Sequence, residues 1–325
     1  MLLIDATEVE RLYGMSQAFE SVAEAAIAQT RGTTDVPARA GFRVPGADAE
    51  VLVMPGVVDG TTFGSKIWYS SGGDSLPSSA ALIVLVDPEL GEVVMDGSVI
   101  TDLRTGAMTG LAAARLAPPA TSVAAIIGAG AQARTQALAL VHALDTLTTI
   151  RIASRNPDRR NDFASALRRE ISIAHPSRDV EVIAVDSVRS ACAGAGVVVA
   201  ATTSATPVIM DDWIGPDVLV CGVGSHTPDA AEIEMPIVAR AKRVVVDTVV
   251  GALHAADITA ALESGSLART SIIELGELLQ EPAGTGAGGI NVFKSVGFAA
   301  ADIYSARSVA RAAVARGTRT FDIHG

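Results

Sequence analysis

The sequence predicts an α/β protein: a Rossmann-type doubly wound parallel sheet joined to a smaller α+β unit. Three observations predict it. After Pro118-Pro119-Ala120, short apolar runs alternate with helical ones, the pattern of a parallel sheet with crossover helices on both faces. Between residues 36 and 96 the texture differs, with β-like runs punctuated by Gly and Pro. At 325 residues the chain is also long enough for two packed units.

Taken in order, residues 7–30 are expected to form one helix, opened by a Thr7/Glu10 capping box and carrying Val9, Leu12, Phe19, Val22, Ala25 and Ala26 at helical spacing. "EVLVMP", "TFGSKIWY", "ALIVLVD" and "EVVMDG" then read as strands. "ITDLRTGAMTGLAAARLA" (100–117) reads as a helix whose small residues suit close packing against another element. The runs "VAAIIG", "TIRIAS", "VEVIAV", "GVVVAAT", "VLVCGVG" and "RVVVDT" supply the parallel strands. "EPAGTGAGG" (281–289) is expected to be a mobile loop, and a last helix over about 296–316 to return its Ala-rich face to the N-terminal unit. The expected domains are 1–117 with 302–325, and 118–301.

Bulk composition excludes several classes of function. A net charge of −11 is wrong for a phosphate-binding face on nucleic acid. No apolar run reaches the roughly 20 residues of a membrane span, and the opening "MLLIDATEVERLYG" has acids where a leader would carry basic residues. Cys192 and Cys221 make neither a disulfide framework nor a zinc set, and the histidines lack ligand spacing, so no metal is expected. A cytoplasmic protein acting on a small molecule fits these limits.

"VAAIIGAGAQARTQALAL" is a strand, a tight turn and a helix. The pattern Gly128-x-Gly130-x-x-Ala133 lets backbone approach a pyrophosphate and lays that anion on a helix N-terminus. The turn residues Gly128, Ala129, Gly130, Ala131, Gln132 and Ala133 are therefore cofactor-binding candidates. About 20 residues on, where an NAD site carries an acid, the chain has Ser154-Arg155-Asn156. No carboxylate repels a 2′-phosphate there, and Arg155 and Ser154 suit one. NADP(H) is preferred; NAD(H) is the alternative if Arg155 is only a solvated surface charge.

Three cations stand in otherwise uncharged settings: Arg39 in "VPARAG", Lys66 in "FGSKIWY" and Arg104 in "TDLRTGA". An unpaired ammonium is expensive to bury in a run as apolar as that of Lys66. If the three converge they suit a carboxylate. Ordinary ion pairing with Asp74, Asp96 or Asp102 is the plainer reading.

The ordered set "VPAR", "VLVMP", "GSKIWY", "LPSSAALIVLVD", "MDGSVITDLRTGAMTG", "IIGAGAQA", "SRNP", "GSHTP" and "VFKSVGFAAAD" resembles the ornithine cyclodeaminase/μ-crystallin family along nearly the whole chain. The resemblance implies a homodimer built through the N-terminal β-rich domain and C-terminal helix. It also implies an NAD(P)-dependent oxidoreductase acting on amino or imino acids. By resemblance Arg39, Lys66 and Arg104 bind the substrate carboxylate, Lys66 exchanges protons, and Met54 and Ser78 line the pocket. Thr202 lines the adenosine end of the cofactor and Ser295, Val296 and Gly297 the nicotinamide end.

The departure is in "GSHTP", where cyclodeaminases of the family carry an aspartate aligned with His226. An imidazole does not anchor a distal ammonium as a carboxylate does. The expectation is therefore a reductase of small imino acids, with Lys66 and His226 as candidate proton donors. An ornithine cyclodeaminase and a μ-crystallin-like protein that binds NADPH and a small ligand are the rivals.

Overall fold

A computed structural model describes residues 1–72, 76–225, 227–282, 288–318 and 320–322. His226, Asp74, His324 and most of the expected 281–289 loop lie outside the described residues. The fold divides into two compact units, Met1–Arg104 with Phe298–Gly325, and Thr105–Gly297.

The first unit opens with β1 (Leu2–Ile4), α1 (Ala6–Leu12) and α2 (Met15–Thr30). The single helix expected over 7–30 is thus two. Tyr13 and Gly14 take extended backbone, and Tyr13 is buried, its hydroxyl donating to Ser305 Oγ at 2.6 Å. The first cap is Asp5, which accepts from the Glu8 amide at 2.8 Å, and not the expected Thr7.

There follow β2 (Thr34–Asp35), β3 (Ala40–Val44), β4 (Ala49–Val58), β5 (Thr62–Ser71), β6 (Ser79–Asp87) and β7 (Gly91–Asp96). The sheet runs β1-β7-β6-β5-β4-β2, with β3 also on β4; it is antiparallel apart from the β1–β7 pair. The four strands read from the sequence are β4 to β7. One face buries Met54, Val58, Ile83, Leu85, Val93 and Met95. The other keeps large apolar groups exposed: Leu3, Phe42, Phe63, Ile67, Leu82 and Val84. Register puts Ile67 opposite Leu82, and Val84 opposite Val94, itself opposite Leu3.

Helix α3 (Ser98–Leu116) contains the division between units. The second unit continues with β8 (Val123–Ile127), α4 (Ala131–Ala143), β9 (Thr149–Ala153), α5 (Pro157–Ala174), β10 (Glu181–Ala184), α6 (Val188–Cys192), β11 (Val197–Ala200) and β12 (Val218–Gly222). After these come α7 (Met235–Ala239), β13 (Arg243–Val246), α8 (Val249–Ala252), α9 (Ala256–Glu263), β14 (Ile272–Glu274), α10 (Leu275–Gln280) and β15 (Ile290–Lys294). The wholly parallel sheet has the order β10-β9-β8-β11-β12-β15-β13-β14. Strands β11 and β12 are buried at every residue, as helices on both faces require. Strand order reverses between β8 and β11, the place where such sheets leave a ligand crevice.

The last helix, α11 (Ala299–Ala315), packs on α2 and on β4, β5 and β6 within the first unit, burying Ala299–Ala301, Ala306, Ala310 and Ala313. Among the described residues no helix is long and apolar enough to cross a membrane. No group of three His, Cys, Asp or Glu among them is placed to hold a metal.

The small residues of α3 have the packing role expected of them. A Cβ on Gly106 would lie 2.6 Å from the Thr135 carbonyl oxygen of α4. Gly→Ala inside a helix ordinarily stabilises by about 1 kcal/mol. Gly106→Ala is expected to have the opposite sign, and a lowered midpoint in urea unfolding checks it.

Candidate active site

The crevice of the second unit is about 510 Å³ and is lined by Ile127–Gly130 at the end of β8, Ala153–Asn156 and Arg159 at the end of β9, and Ala201–Ser204 after β11, with Asp186–Val188 and Val208. Gly128 has φ +133°, and a Cβ there would meet the Ala201 carbonyl oxygen at 2.3 Å. The first glycine of the motif is thus fixed by backbone crossing backbone. A Cβ on Gly130 would meet nothing within 4 Å, so that side of the turn is open. Gly130 caps α4 without a side-chain oxygen, so its own cap leaves the converging first-turn amides uncovered. Ala129, Ala131 and Gln132 complete the turn, and Ala133 is buried against the sheet. The residues fit a dinucleotide pyrophosphate.

At the end of β9 the Asn156 side chain caps α5, accepting from the Arg159 amide at 2.9 Å. Ser154 Oγ donates to the Asn156 carbonyl. Arg155 is exposed, and neither its guanidinium nor that of Arg159 bonds to any described residue. Arg159, which sequence reading missed, sits one helical turn beyond Arg155 on the same rim. Among the described residues that line this wall the one acid, Asp186, accepts from Arg160 at 2.8 Å, so the rim they form carries net positive charge.

Buried carboxylates tie the other strand ends together. Glu232 Oε1 accepts from the Thr202 amide and hydroxyl, each at 2.7 Å, and Oε2 accepts from the amides of Gly224 (2.6 Å) and Ser225 (3.1 Å). Burial raises its pKa, against the pull of Lys294 and these donors. Asp257 takes the Glu232 and Ile233 amides, the Ser225 hydroxyl and the Lys294 ammonium, the last at 2.8 Å. Burial pushes Asp257 upward, but Lys294 and the donors outweigh it and hold the carboxyl below its ordinary range. Asp247 pins the segment read as nicotinamide-lining: Oδ2 accepts from Ser295 Oγ (3.0 Å) and from the amides of Val296 (2.7 Å) and Gly297 (2.5 Å).

The first unit buries Lys66 (2% exposed) and Arg104 (5%) against one carboxylate, Asp302 (1%). Asp302 Oδ1 accepts from Lys66 Nζ at 2.9 Å and from Arg104 Nε at 3.0 Å. Oδ2 lies 2.8 Å from Nζ. Of the partners expected on the plainer reading, Asp96 instead caps α3 through the amides of Ser98 and Val99, and no ion pair joins Lys66 or Arg104 to Asp102 among the described residues. The terminal nitrogens of Arg104 donate to no described residue. Lys66 has its pKa lowered to about 8, first by burial and then by Arg104, with Asp302 opposing and Arg39 adding a smaller push. Arg39, half-buried between β2 and β3, is near enough to be felt. Met54 is buried directly opposite Lys66 in the β4–β5 register. Ser78 is exposed before β6, where its carbonyl accepts from the Ser71 amide.

A family model described as the ornithine cyclodeaminase/mu-crystallin family matches residues 1–317. Ketimine reductase mu-crystallin of Mus musculus is 29% identical over 240 residues, 72% of this chain and 70% of that protein. Delta(1)-pyrroline-2-carboxylate reductase of Bacillus cereus is 28% identical over 327 residues, 98% of each chain. Among solved structures, Delta(1)-pyrroline-2-carboxylate reductase of Thermococcus litoralis in complex with NADH and L-proline has a TM-score of 0.89 at 30% identity, covering 99% of this chain and 100% of that one. With the glycine turn, the buried cations and the helix that returns to the first unit all in the matched span, this chain belongs to the ornithine cyclodeaminase/mu-crystallin family.

Proposed function

We propose that this chain is a NAD(P)H-dependent reductase of small imino acids bearing an α-carboxylate, with cyclic ketimines of the Δ1-pyrroline-2-carboxylate type as substrates. Run backwards, the reaction is dehydrogenation of an amino acid. The observation that carries the reading is the pair of buried cations, Lys66 and Arg104, that share a single carboxylate, while the forked end of the guanidinium bonds to none of the described residues. Two cations against one anion suit a further carboxylate, which Arg grips through its terminal nitrogens. The full-length likeness to proteins named for Δ1-pyrroline-2-carboxylate reduction supports the same substrate class.

In this reading Arg104 and Arg39 hold the α-carboxylate, Met54 and Ser78 flank the ring, and Lys66 donates a proton to the imine nitrogen as the C=N bond becomes CH–NH. A pKa of about 8 matches that task, since an acid poised near the working pH is protonated and still gives up its proton. His226 is the second candidate donor. Reduced nicotinamide, when bound, supplies the hydride. The chain's own part is to seat the dinucleotide on the turn Gly128–Ala133 and to hold Thr202 and Ser295–Gly297 in place through Glu232 and Asp247. NADP(H) is the preferred cofactor, because the guanidinium groups of Arg155 and Arg159 on the rim bond to none of the described residues and suit a 2′-phosphate.

The bare apolar face of the first sheet supports a homodimer. An antiparallel sheet with one solvated face ordinarily alternates apolar and polar residues, whereas here Leu3, Ile67, Leu82 and Val84 adjoin on the open side. A second copy of the same face covers it. The buried, unpaired thiols of Cys192 and Cys221 suit the reducing cytoplasm.

A screen of both reduced cofactors against cyclic imines, 2-oxo acids with amines, and ornithine tests the activity. Oxidation of NADPH by Δ1-pyrroline-2-carboxylate is expected. Ammonia release from ornithine with catalytic NAD⁺, or NADPH binding with no turnover of any imine, would overturn it. Lys66→Ala should lower kcat/KM for the imine by roughly 10²–10⁴-fold with cofactor affinity retained. In the unsubstituted enzyme kcat/KM should fall above pH about 8, because the donating ammonium is lost there; a flat alkaline profile would remove Lys66 as the donor. Arg155→Asp and Arg159→Asp should each weaken NADPH by about tenfold, the scale of one charged hydrogen bond, leaving NADH nearly unaffected. For the dimer, the double substitution Ile67→Glu with Val84→Glu should halve the mass read by light scattering.

A further inference from the structure

We infer that Asp302 is the positioning residue of the substrate anchor, fixing Lys66 and Arg104 so that both present their remaining donors to one carboxylate. The inference rests on the reading above that these two cations bind the substrate. Asp302 takes the Nε of Arg104, not the terminal pair, and takes Nζ of Lys66 on the same oxygen. Lys66 Nζ also lies 2.8 Å from Oδ2, so one carboxylate group sets the separation of the two cations, and its bond to Arg104 is made at Nε and leaves the terminal nitrogens without a bond to any described residue. Had Asp302 gripped those terminal nitrogens, the fork would already be filled.

The carrier is built for this. Asp302 stands in the first turn of α11, where the partial positive charge of the helix end favours an anion. One turn later on the same helix, Ser305 accepts from the buried hydroxyl of Tyr13, so the turn that follows Asp302 is itself tied to the start of the chain. Without Asp302, two like charges in a buried setting repel and turn apart. Among the described residues, the charged groups that act on Lys66 are Arg104 from α3, Asp302 from α11 and Arg39 from the β2–β3 connection; Tyr13 acts on none of them as an ion at neutral pH, its pKa being pushed up to about 12 by burial. Of these, Asp302 alone favours the ammonium form.

The test sets position against bulk charge. Asp302→Asn keeps the shape and removes the negative charge. Were Asp302 only a negative neighbour, its loss would tighten the binding of an anion. If it positions the two cations, its loss weakens binding. The probe is pyrrole-2-carboxylate, a planar carboxylate with no reducible imine, titrated by calorimetry into enzyme carrying NADPH at pH about 6, where Lys66 keeps its proton with or without Asp302. The expected result is a loss of affinity of about tenfold or more, the scale of one misplaced charged hydrogen bond. In parallel the alkaline limb of kcat/KM should move down by at least about one pH unit, because Lys66 has lost the neighbour that kept its proton. Equal or tighter binding of the probe, or an unmoved alkaline limb, overturns the inference.

If Asp302→Asn does not fold, Asp302→Glu carries the test. Charge is kept and position is changed, so the alkaline limb should stay while probe affinity falls; affinity equal to that of the parent enzyme overturns the inference. The two readings fail separately. Probe binding that depends on Asp302 in an enzyme that reduces no imine removes the proposed reaction and leaves the anchor. Imine reduction unaltered in Asp302→Asn removes the positioning role and leaves the reaction.

Discussion

A charge withdrawn from water must be met by an opposite charge or by several hydrogen bonds, because a lone buried ion costs far more than folding can supply. This chain buries Lys66 and Arg104 in one unit and Lys294 in the other, and the loops of both units are arranged around the answer. In the first unit two cations share one carboxylate, and that surplus of positive charge is the ground on which a substrate carboxylate is proposed there. In the second, Lys294 meets Asp257 inside a shell of amides and hydroxyls. Positive charge is fully spent there, which marks that cluster as structural.

The second cluster explains how a sheet of short strands holds a ligand crevice open with accuracy. The loops after β11 and β12 cross so closely that a Cβ on Gly224 would lie 2.0 Å from the Thr202 carbonyl oxygen. Such a crossing survives only with glycine, and only if the backbone amides it turns inward find acceptors. Glu232 supplies these to both loops at once. Asp247 does the same for the segment after β15, with amides and a hydroxyl as donors. Carboxylates used in this way act as brackets for backbone, and their burial is offset by the number of hydrogen bonds each receives.

Much of this was legible in the residues, and the remainder was hidden for identifiable reasons. The strands β4 to β13 announce themselves as apolar runs, and the turn at Gly128 announces itself by spacing. Lys66 was conspicuous because an ammonium interrupts such a run. Its partner was not, since Asp302 lies 236 residues away in an ordinary helix start, and no local pattern signals a contact across that separation. Strand β15 was missed because Asn291 and Lys294 break its apolar character. Both are buried because Asn291 donates to the Leu116 carbonyl and Lys294 pairs with Asp257. The break at Tyr13–Gly14 escaped a reading by helical period, because period alone is blind to a tyrosine hydroxyl that finds its acceptor on a distant helix. Arg159 was overlooked because the motif draws attention to the strand end and not to the helix turn beyond it.

The histidine of "GSHTP" gains its meaning from what precedes it. The amides of Gly224 and Ser225 are held by Glu232, and the Ser225 hydroxyl by Asp257 and Lys294. The turn is thus held as far as Ser225 by three buried groups, Glu232, Asp257 and Lys294, which reach it from β15 and α9 and from the segment before α7. By the family resemblance an acid stands at position 226 in the enzymes that handle a diamino acid, and here the residue is a histidine. An imidazole does not anchor a distal ammonium as a carboxylate does. That difference in charge is the ground for proposing a reductase over a cyclodeaminase.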